Sequence, residues 1–131
     1  MADEFTATTV FAAVPVHDLD AAVEWYGRLF GRAPDSRPAP QIAEYYLATD
    51  RTPERGTLQL HADPERAGGG LATINLEDIA AASAVLADLG VAFDARRLPI
   101  ATETFSAVTV GSFLDPDGNR LTLVQPHRKS P

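Results

Sequence analysis

The chain has 131 residues, which is enough for one compact domain, so we expect a single domain over residues 1–131. It carries 11 basic and 18 acidic residues, and the formal net charge of −7 argues against a nucleic-acid-binding surface while weakly favouring cationic ligands. Cysteine is absent, which excludes disulfides, thiolate nucleophiles and cysteine-bound zinc and is what we expect of a cytoplasmic protein in a reducing compartment.

The first half of the chain predicts a strand, a helix and three further strands. The segment MADEFTATTV has no long apolar run, so it predicts neither a signal peptide nor a membrane span. Alternating residues predict the first strand at 8–16, and the helix that follows has Asp18 as its N-cap and Gly31 as its stop. A proline-rich connection leaves room for a short second strand only. Two more strands are predicted at 42–49 and 57–62, separated by a polar turn at 50–56.

The second half repeats this order after a glycine-rich crossing at 63–70. Its helix is capped by Asp78 and stopped by Gly90, and Asp78 lies 60 positions after Asp18. The strands of this half are predicted at 71–76, 91–97, 103–113 and 119–125.

The repeat indicates an α+β fold, because two similar units that are too small to fold alone usually bury their faces against each other. We therefore predict two βαβββ modules, at residues 8–62 and 70–125, followed by a basic, frayed tail at 126–131. In the last strand, Leu121 and Leu123 alternate with Thr122, so we expect the leucines under a helix and the threonine on the other face.

Two stretches, VPVHDLDAAVEWYGRLFGRAPD and FLDPDGNRLTLVQ, resemble the two signatures of the vicinal-oxygen-chelate superfamily. That superfamily contains the glyoxalase, bleomycin-resistance and extradiol-dioxygenase proteins. The resemblance implies paired modules that form a curved mixed sheet, with a ligand cavity on its concave side. It also implies a homodimer.

The resemblance further implies four positions at which metal-dependent members hold their ion. In this sequence those positions carry Phe11, Gln59, Leu71 and Thr122. Neither a carboxylate nor an imidazole is among them, although a divalent metal needs such ligands to converge. We therefore predict no metal, no cofactor and no catalytic residue.

The predicted ligand-binding site is a partly apolar cavity suited to a flat molecule. Tyr45 and Tyr46 are adjacent in one strand, so only one of them can face the cavity, and the predicted site includes Tyr46. Its members are Phe11, Tyr46, Gln59, His61, Leu71, Thr73, Asn75 and Thr122. Glu44 is predicted to be a solvated strand residue rather than an acid–base partner of His61. Trp25 is predicted either in a dimer contact or partly buried.

Three functions follow from these predictions. The first is a metal-independent protein that binds a small aromatic or cationic molecule, similar to the bleomycin-resistance proteins that sequester a drug between two subunits. An enzyme, either a lyase of the glyoxalase type or a dioxygenase with an atypical site, is the first alternative. A non-catalytic module for dimerisation or regulation is the second. We expect neither nucleic acid nor a membrane as a partner.

Overall fold

Eight strands and two helices make up the part of the chain that the computed structural model describes, residues 5–7, 9–48 and 56–130. They are β1 (Phe11–Val16), α1 (Leu19–Phe30), β2 (Ser36–Ala39), β3 (Ile42–Leu47), β4 (Gly56–Ala62), β5 (Leu71–Asn75), α2 (Ile79–Asp88), β6 (Arg96–Pro99), β7 (Phe105–Leu114) and β8 (Arg120–Arg128). The residues of the predicted 50–56 turn that precede Gly56 lie outside the described residues. In the described part, neither helix is long and apolar enough to cross a membrane.

The strands form two four-stranded mixed sheets with the same topology. Their strand orders are β1-β4-β3-β2 and β5-β8-β7-β6. In each sheet the first and last strands of a module pair in parallel, and the remaining neighbours are antiparallel. The predicted α+β fold of two βαβββ modules is confirmed.

The helix ends follow from the residues that the sequence places there. The side chain of Asp18 accepts a hydrogen bond from the backbone N–H of Ala21, and that of Asp78 accepts one from the N–H of Ala81. Each bond satisfies an N–H in the first turn of the helix that has no partner within the helix. Gly31 and Gly90 follow the helices with φ angles of 72° and 73°, in the left-handed region that glycine enters without steric cost.

One hydrophobic core lies between the sheets and the helices and joins both modules. Tyr45 is 0% exposed on the helix side of β3, with its ring centroid 4.8 Å from that of Phe30 on α1. Leu121 and Leu123 are 0% and 4% exposed, so their predicted burial is confirmed. Trp25 packs partly buried against this core, its ring 6.3 Å from that of Phe113.

Three strand predictions differ from the structure. β1 begins at Phe11, so Thr9 and Val10 of the strand predicted at 8–16 precede it, and Thr8 lies outside the described residues. Residues 91–95 are not a strand, and β6 begins only at Arg96. Phe93 instead lies over Gly111 and contacts Phe113 edge-on at 6.1 Å, so this segment crosses the sheet rather than joining it. At the C-terminus, β8 continues through Arg128 into the segment predicted as a frayed tail. His127 pairs with Ala107 there, and its Nε2 lies 2.7 Å from Oγ1 of Thr109.

The turn before β8 connects the second module to the first. The hydroxyl of Tyr26 on α1 donates a 2.7 Å hydrogen bond to the Asp115 carboxylate. Asn119 donates from Nδ2 to the carbonyl of Pro15 at 2.7 Å and accepts from the N–H of Gly70 at 2.7 Å. The two modules therefore lie side by side in one chain, with β1 next to β5.

Candidate functional site

Each sheet has one face that packs into the helix-covered core and one that does not, which we call the open face. Strand alternation and register place one set of first-module side chains on the open face: Phe11, Ala13, Pro15, Ile42, Glu44, Tyr46, Thr57, Gln59 and His61. The same argument gives the second-module set: Leu71, Thr73, Asn75, Arg96, Leu98, Val108, Val110, Ser112, Leu114, Arg120, Thr122 and Val124.

All eight side chains of the predicted ligand site belong to these open faces. Tyr46 lies there, whereas Tyr45 points under α1, which decides between the two tyrosines. Phe11 is 41% exposed and Leu71 is 76% exposed, so neither is packed under a helix. The open faces thus present large apolar surfaces that this chain alone does not cover.

The eight residues do not line one common cavity. His61 and Leu71 border a cavity of about 690 Å³ at the junction of the modules, together with Ala13 and Pro15. Thr73 and Asn75 border a second one of about 390 Å³. The other four, Phe11, Tyr46, Gln59 and Thr122, line neither cavity. The larger volume lies in the range of ordinary small-molecule sites.

The larger cavity also has charged side chains that the sequence did not single out. Arg66 donates from Nη1 to Asp63 at 2.9 Å, and both residues line the cavity. The hydrogen bond from Arg66 holds the pKa of Asp63 below its usual value. The available signal was the three-residue spacing of Asp63 and Arg66, which lets opposite charges pair within one turn. The glycine-rich composition of residues 63–70 predicts only a flexible crossing.

The burial of Glu44 differs most clearly from what the sequence predicts. It is only 7% exposed, so the prediction of a solvated strand residue is wrong. Its backbone lies between Ser36 on β2 and Gln59 on β4, so neighbouring strands flank the side chain. Gln59 donates from Nε2 to Oε2 of Glu44 at 2.8 Å. The first module therefore carries a buried carboxylate on its open face.

The second module has a polar pair at the equivalent place. Thr122 lies between two buried leucines of β8, as Gln59 does in β4, and Ser112 is its partner on β7. The hydroxyl oxygens of Ser112 and Thr122 lie 2.8 Å apart. Both open faces thus hold a hydrogen-bonded polar pair between the last two strands of the module. Only the first pair contains an ionisable group.

The donor set does not fit a divalent metal. Phe11 and Leu71 have no ligand atoms, and Gln59 and Thr122 offer only a neutral amide and a hydroxyl. Among residues 5–7, 9–48 and 56–130, no group of three or more His, Cys, Asp or Glu side chains could hold an ion. The described residues therefore support no metal-dependent step.

Two βαβββ modules side by side, each with a helix on one face and an open face on the other, define the class of protein. The chain belongs to the Glyoxalase/Bleomycin resistance protein/Dioxygenase superfamily, whose family model matches residues 8–123. No curated protein matches the chain.

Several solved structures share this fold. A glyoxalase/bleomycin resistance protein from Catenulispora acidiphila is 28% identical, with a TM-score of 0.70, and the match covers 91% of this chain and 98% of that one. TnmS3, an antibiotic-binding protein from Streptomyces sp. CB03234, is 26% identical, with a TM-score of 0.62 and coverages of 95% and 99%. A bleomycin-binding protein in complex with bleomycin is 21% identical, with a TM-score of 0.61 and coverages of 91% and 98%. The last likeness concerns the fold alone.

Proposed function

We propose that this protein is a metal-independent binding protein that sequesters a small, flat, aromatic or cationic molecule in the cytoplasm. The observation that carries the proposal is the composition of the open faces, where neutral and apolar side chains occupy the positions implied for metal ligands. The likeness to the antibiotic-binding protein TnmS3 supports it. The absence of cysteine agrees with a reducing compartment.

Binding would follow from burial of the ligand between apolar and neutral polar side chains. Phe11 and Leu71 offer exposed apolar surface for a flat ring system. Gln59 and Thr122 can fix its orientation by hydrogen bonds. No bond is made or broken, and the free concentration of the ligand falls because each site retains one molecule.

The proposal includes a homodimer, because one chain leaves its open faces uncovered. Leu71, Leu98 and Leu114 are 76%, 45% and 53% exposed on the second module. A first module facing the second module of another copy would cover both surfaces.

The dimer is tested by light scattering coupled to size-exclusion chromatography. We expect twice the monomer mass of 14.0 kDa for the unchanged protein. Leu71→Arg should give a monomer, because a charged side chain would be buried in the contact. Ala80→Arg adds the same charge on the exposed side of α2 and should remain dimeric. A monomeric unchanged protein would contradict this part of the proposal.

Ligand binding is tested by thermal unfolding in the presence of bleomycin-type glycopeptides and planar aromatic antibiotics. A ligand that binds only the native state raises the unfolding temperature. Phe11→Ala should reduce that rise, whereas Phe5→Ala removes an aromatic side chain that is 95% exposed and should not. A flat response to every compound would favour a dimerisation or regulatory module instead.

Metal independence is tested by elemental analysis of protein purified without chelator. We expect well below one equivalent of any divalent transition metal per chain. A stoichiometric ion would favour an enzyme of the same superfamily.

A further inference from the structure

We propose that the carboxylate of Glu44, held by Gln59, binds the cationic group of the small-molecule ligand. The inference rests on the proposed sequestering function and adds to it the chemical class of one ligand group, an amidinium, guanidinium or amine. The pair of side chains is called the Glu44–Gln59 pair below.

The first step is that Glu44 is buried and forms no ion pair with any residue that the structure describes. The residue is 7% exposed, and Gln59 is the only side chain among the described residues that donates a hydrogen bond to its carboxylate. A carboxylate can accept about four hydrogen bonds. Removing it from water with one neutral donor is unfavourable, and a cation placed against it recovers the lost interaction.

The second step is that the described ion pairs engage other acidic residues. Within the described ranges the ion pairs join Arg32 to Asp35, Arg37 to Asp20 and Arg66 to Asp63. None of them includes Glu44. Among the described residues, therefore, Glu44 has no ion-pair partner, and a cationic ligand group could supply the positive charge.

The third step is the place of Glu44 in the proposed site. It lies on the open face beside Gln59, and Tyr46 follows two residues later on the same face. A tyrosine ring next to a carboxylate suits a flat cation, because the ring face attracts positive charge and the carboxylate accepts its N–H groups.

The fourth step is the comparison with the second module. There the fold places Ser112 and Thr122 at the equivalent positions, 2.8 Å apart, and both are neutral. The architecture itself therefore requires only a hydrogen-bonded pair at this point, not a carboxylate. The charge of Glu44 is a property of one module and needs a reason beyond folding.

The experiment uses two flat probes of nearly the same shape, 2-naphthamidine, which is cationic, and neutral 2-naphthamide. Isothermal titration of the full-length protein should show about tenfold tighter binding of the amidine, as expected for one charge-assisted hydrogen-bonded pair. Glu44→Gln preserves the shape of the side chain and should reduce that preference to within about twofold. Binding of the amide should not change.

Glu24→Gln is the matched control, because it removes one negative charge from an exposed position on α1. Its preference for the amidine should equal that of the unchanged protein. Light scattering on the Glu44→Gln variant should show an unchanged oligomeric state.

Four outcomes would overturn the inference. Equal binding of both probes to the unchanged protein removes the cation preference while leaving sequestration of neutral aromatics intact. A preference that survives Glu44→Gln assigns the cation to another group. Dissociation of the dimer by Glu44→Gln would mean that the carboxylate pairs with an arginine of a second copy. Binding of neither probe, together with a flat antibiotic screen, would reject the proposed function as well.

Discussion

Two tyrosines with almost complete burial have opposite hydrogen-bonding situations. Tyr26 is 1% exposed, and its hydroxyl donates to Asp115 at 2.7 Å. Tyr45 is 0% exposed, and its hydroxyl has no hydrogen-bond partner among the described residues. Burial of a hydroxyl without a partner is unfavourable, so the two side chains should contribute very differently to stability.

We predict that Tyr26→Phe lowers the free energy of unfolding by about 1 to 3 kcal/mol, because it deprives the buried Asp115 of a donor. Tyr45→Phe should change it by less than about 0.5 kcal/mol or increase it, since no hydrogen bond is lost. Urea unfolding of both variants measures the difference. Equal destabilisation by the two substitutions would contradict the assigned hydrogen bonds.

A second prediction at the residue scale concerns alkaline pH. Burial, reinforced by the negative charge of Asp115, raises the pKa of Tyr26, and burial raises the pKa of Tyr45. The unfolded chain therefore releases these protons first, at its ordinary pKa of about 10. The stability that the neutral phenols contribute is fully present below that pH and is lost as the pH rises further.

Unfolding measured between pH 9 and 11 should show this loss. The double variant Tyr26→Phe/Tyr45→Phe cannot ionise at either position, so its free energy of unfolding should decline less steeply above pH 10. An identical decline in the variant and the unchanged protein would assign the pH dependence to other groups.

At the scale of the element, the crossing of residues 91–95 over β7 depends on one glycine. A Cβ atom at Gly111 would lie 2.6 Å from the carbonyl oxygen of Asp94 and 2.8 Å from the ring of Phe93. Real Cβ atoms do not approach so closely, so the crossing segment can pass here only because the side chain is absent.

Gly111→Ala should therefore destabilise the protein by about 1 to 3 kcal/mol through overpacking. Gly27→Ala is the matched control in α1, where the nearest atom would be 3.5 Å away. There we expect no loss, or a gain of up to about 1 kcal/mol from the better helix propensity of alanine. Thermal unfolding of both variants decides the matter, and a tolerated Gly111→Ala would contradict the close packing.

Elements with strong local signals were predictable from the sequence. The caps Asp18 and Asp78 and the glycine stops fix both helices through interactions within a few residues. The strand at 91–97 was misplaced because the burial of Phe93 against Phe113 is a long-range contact that overrides local β propensity. The extension of β8 was missed for the same reason, since Ala107 and Thr109 supply the partners of His127.

The sequence predicts which face of each sheet carries the candidate site, but not that the site contains a buried carboxylate. Alternation places Gln59 and Thr122 opposite the buried leucines, as expected. The burial of Glu44 depends on its neighbours in β2 and β4, which are 8 and 15 positions away in the sequence, and no local pattern encodes it. The pairing of β3 with β2 and β4 therefore determines that Glu44 is buried rather than solvated.

At the scale of the whole molecule, Asn119 holds the two modules together. It is 0% exposed and bonds to Pro15, Asp115 and Gly70, so it joins β1 to the start of β5 through the turn before β8. The Tyr26 hydrogen bond adds α1 to the same junction. A single cooperative unfolding transition is expected from such a shared core.

We predict that Asn119→Ala lowers the free energy of unfolding by about 3 kcal/mol, because it leaves buried partners unsatisfied. Amide hydrogen exchange should accelerate first in β1 and β5, where the junction lies. Asn75→Ala, at an exposed position, should stay within about 0.5 kcal/mol of the unchanged protein. Unaltered exchange in Asn119→Ala would show that the core alone joins the modules.

The two modules share the same strand topology, but the polar pairs on their open faces differ chemically. One pair, Glu44 with Gln59, is acidic, and the other, Ser112 with Thr122, has only hydroxyl groups. A ligand bound between the open face of a first module and that of a second module would therefore contact an acidic pair on one side and a neutral pair on the other. In the reversed orientation, a cationic group of the ligand would contact the neutral hydroxyl pair instead of the carboxylate. An asymmetric ligand bound between these two faces would therefore adopt one orientation.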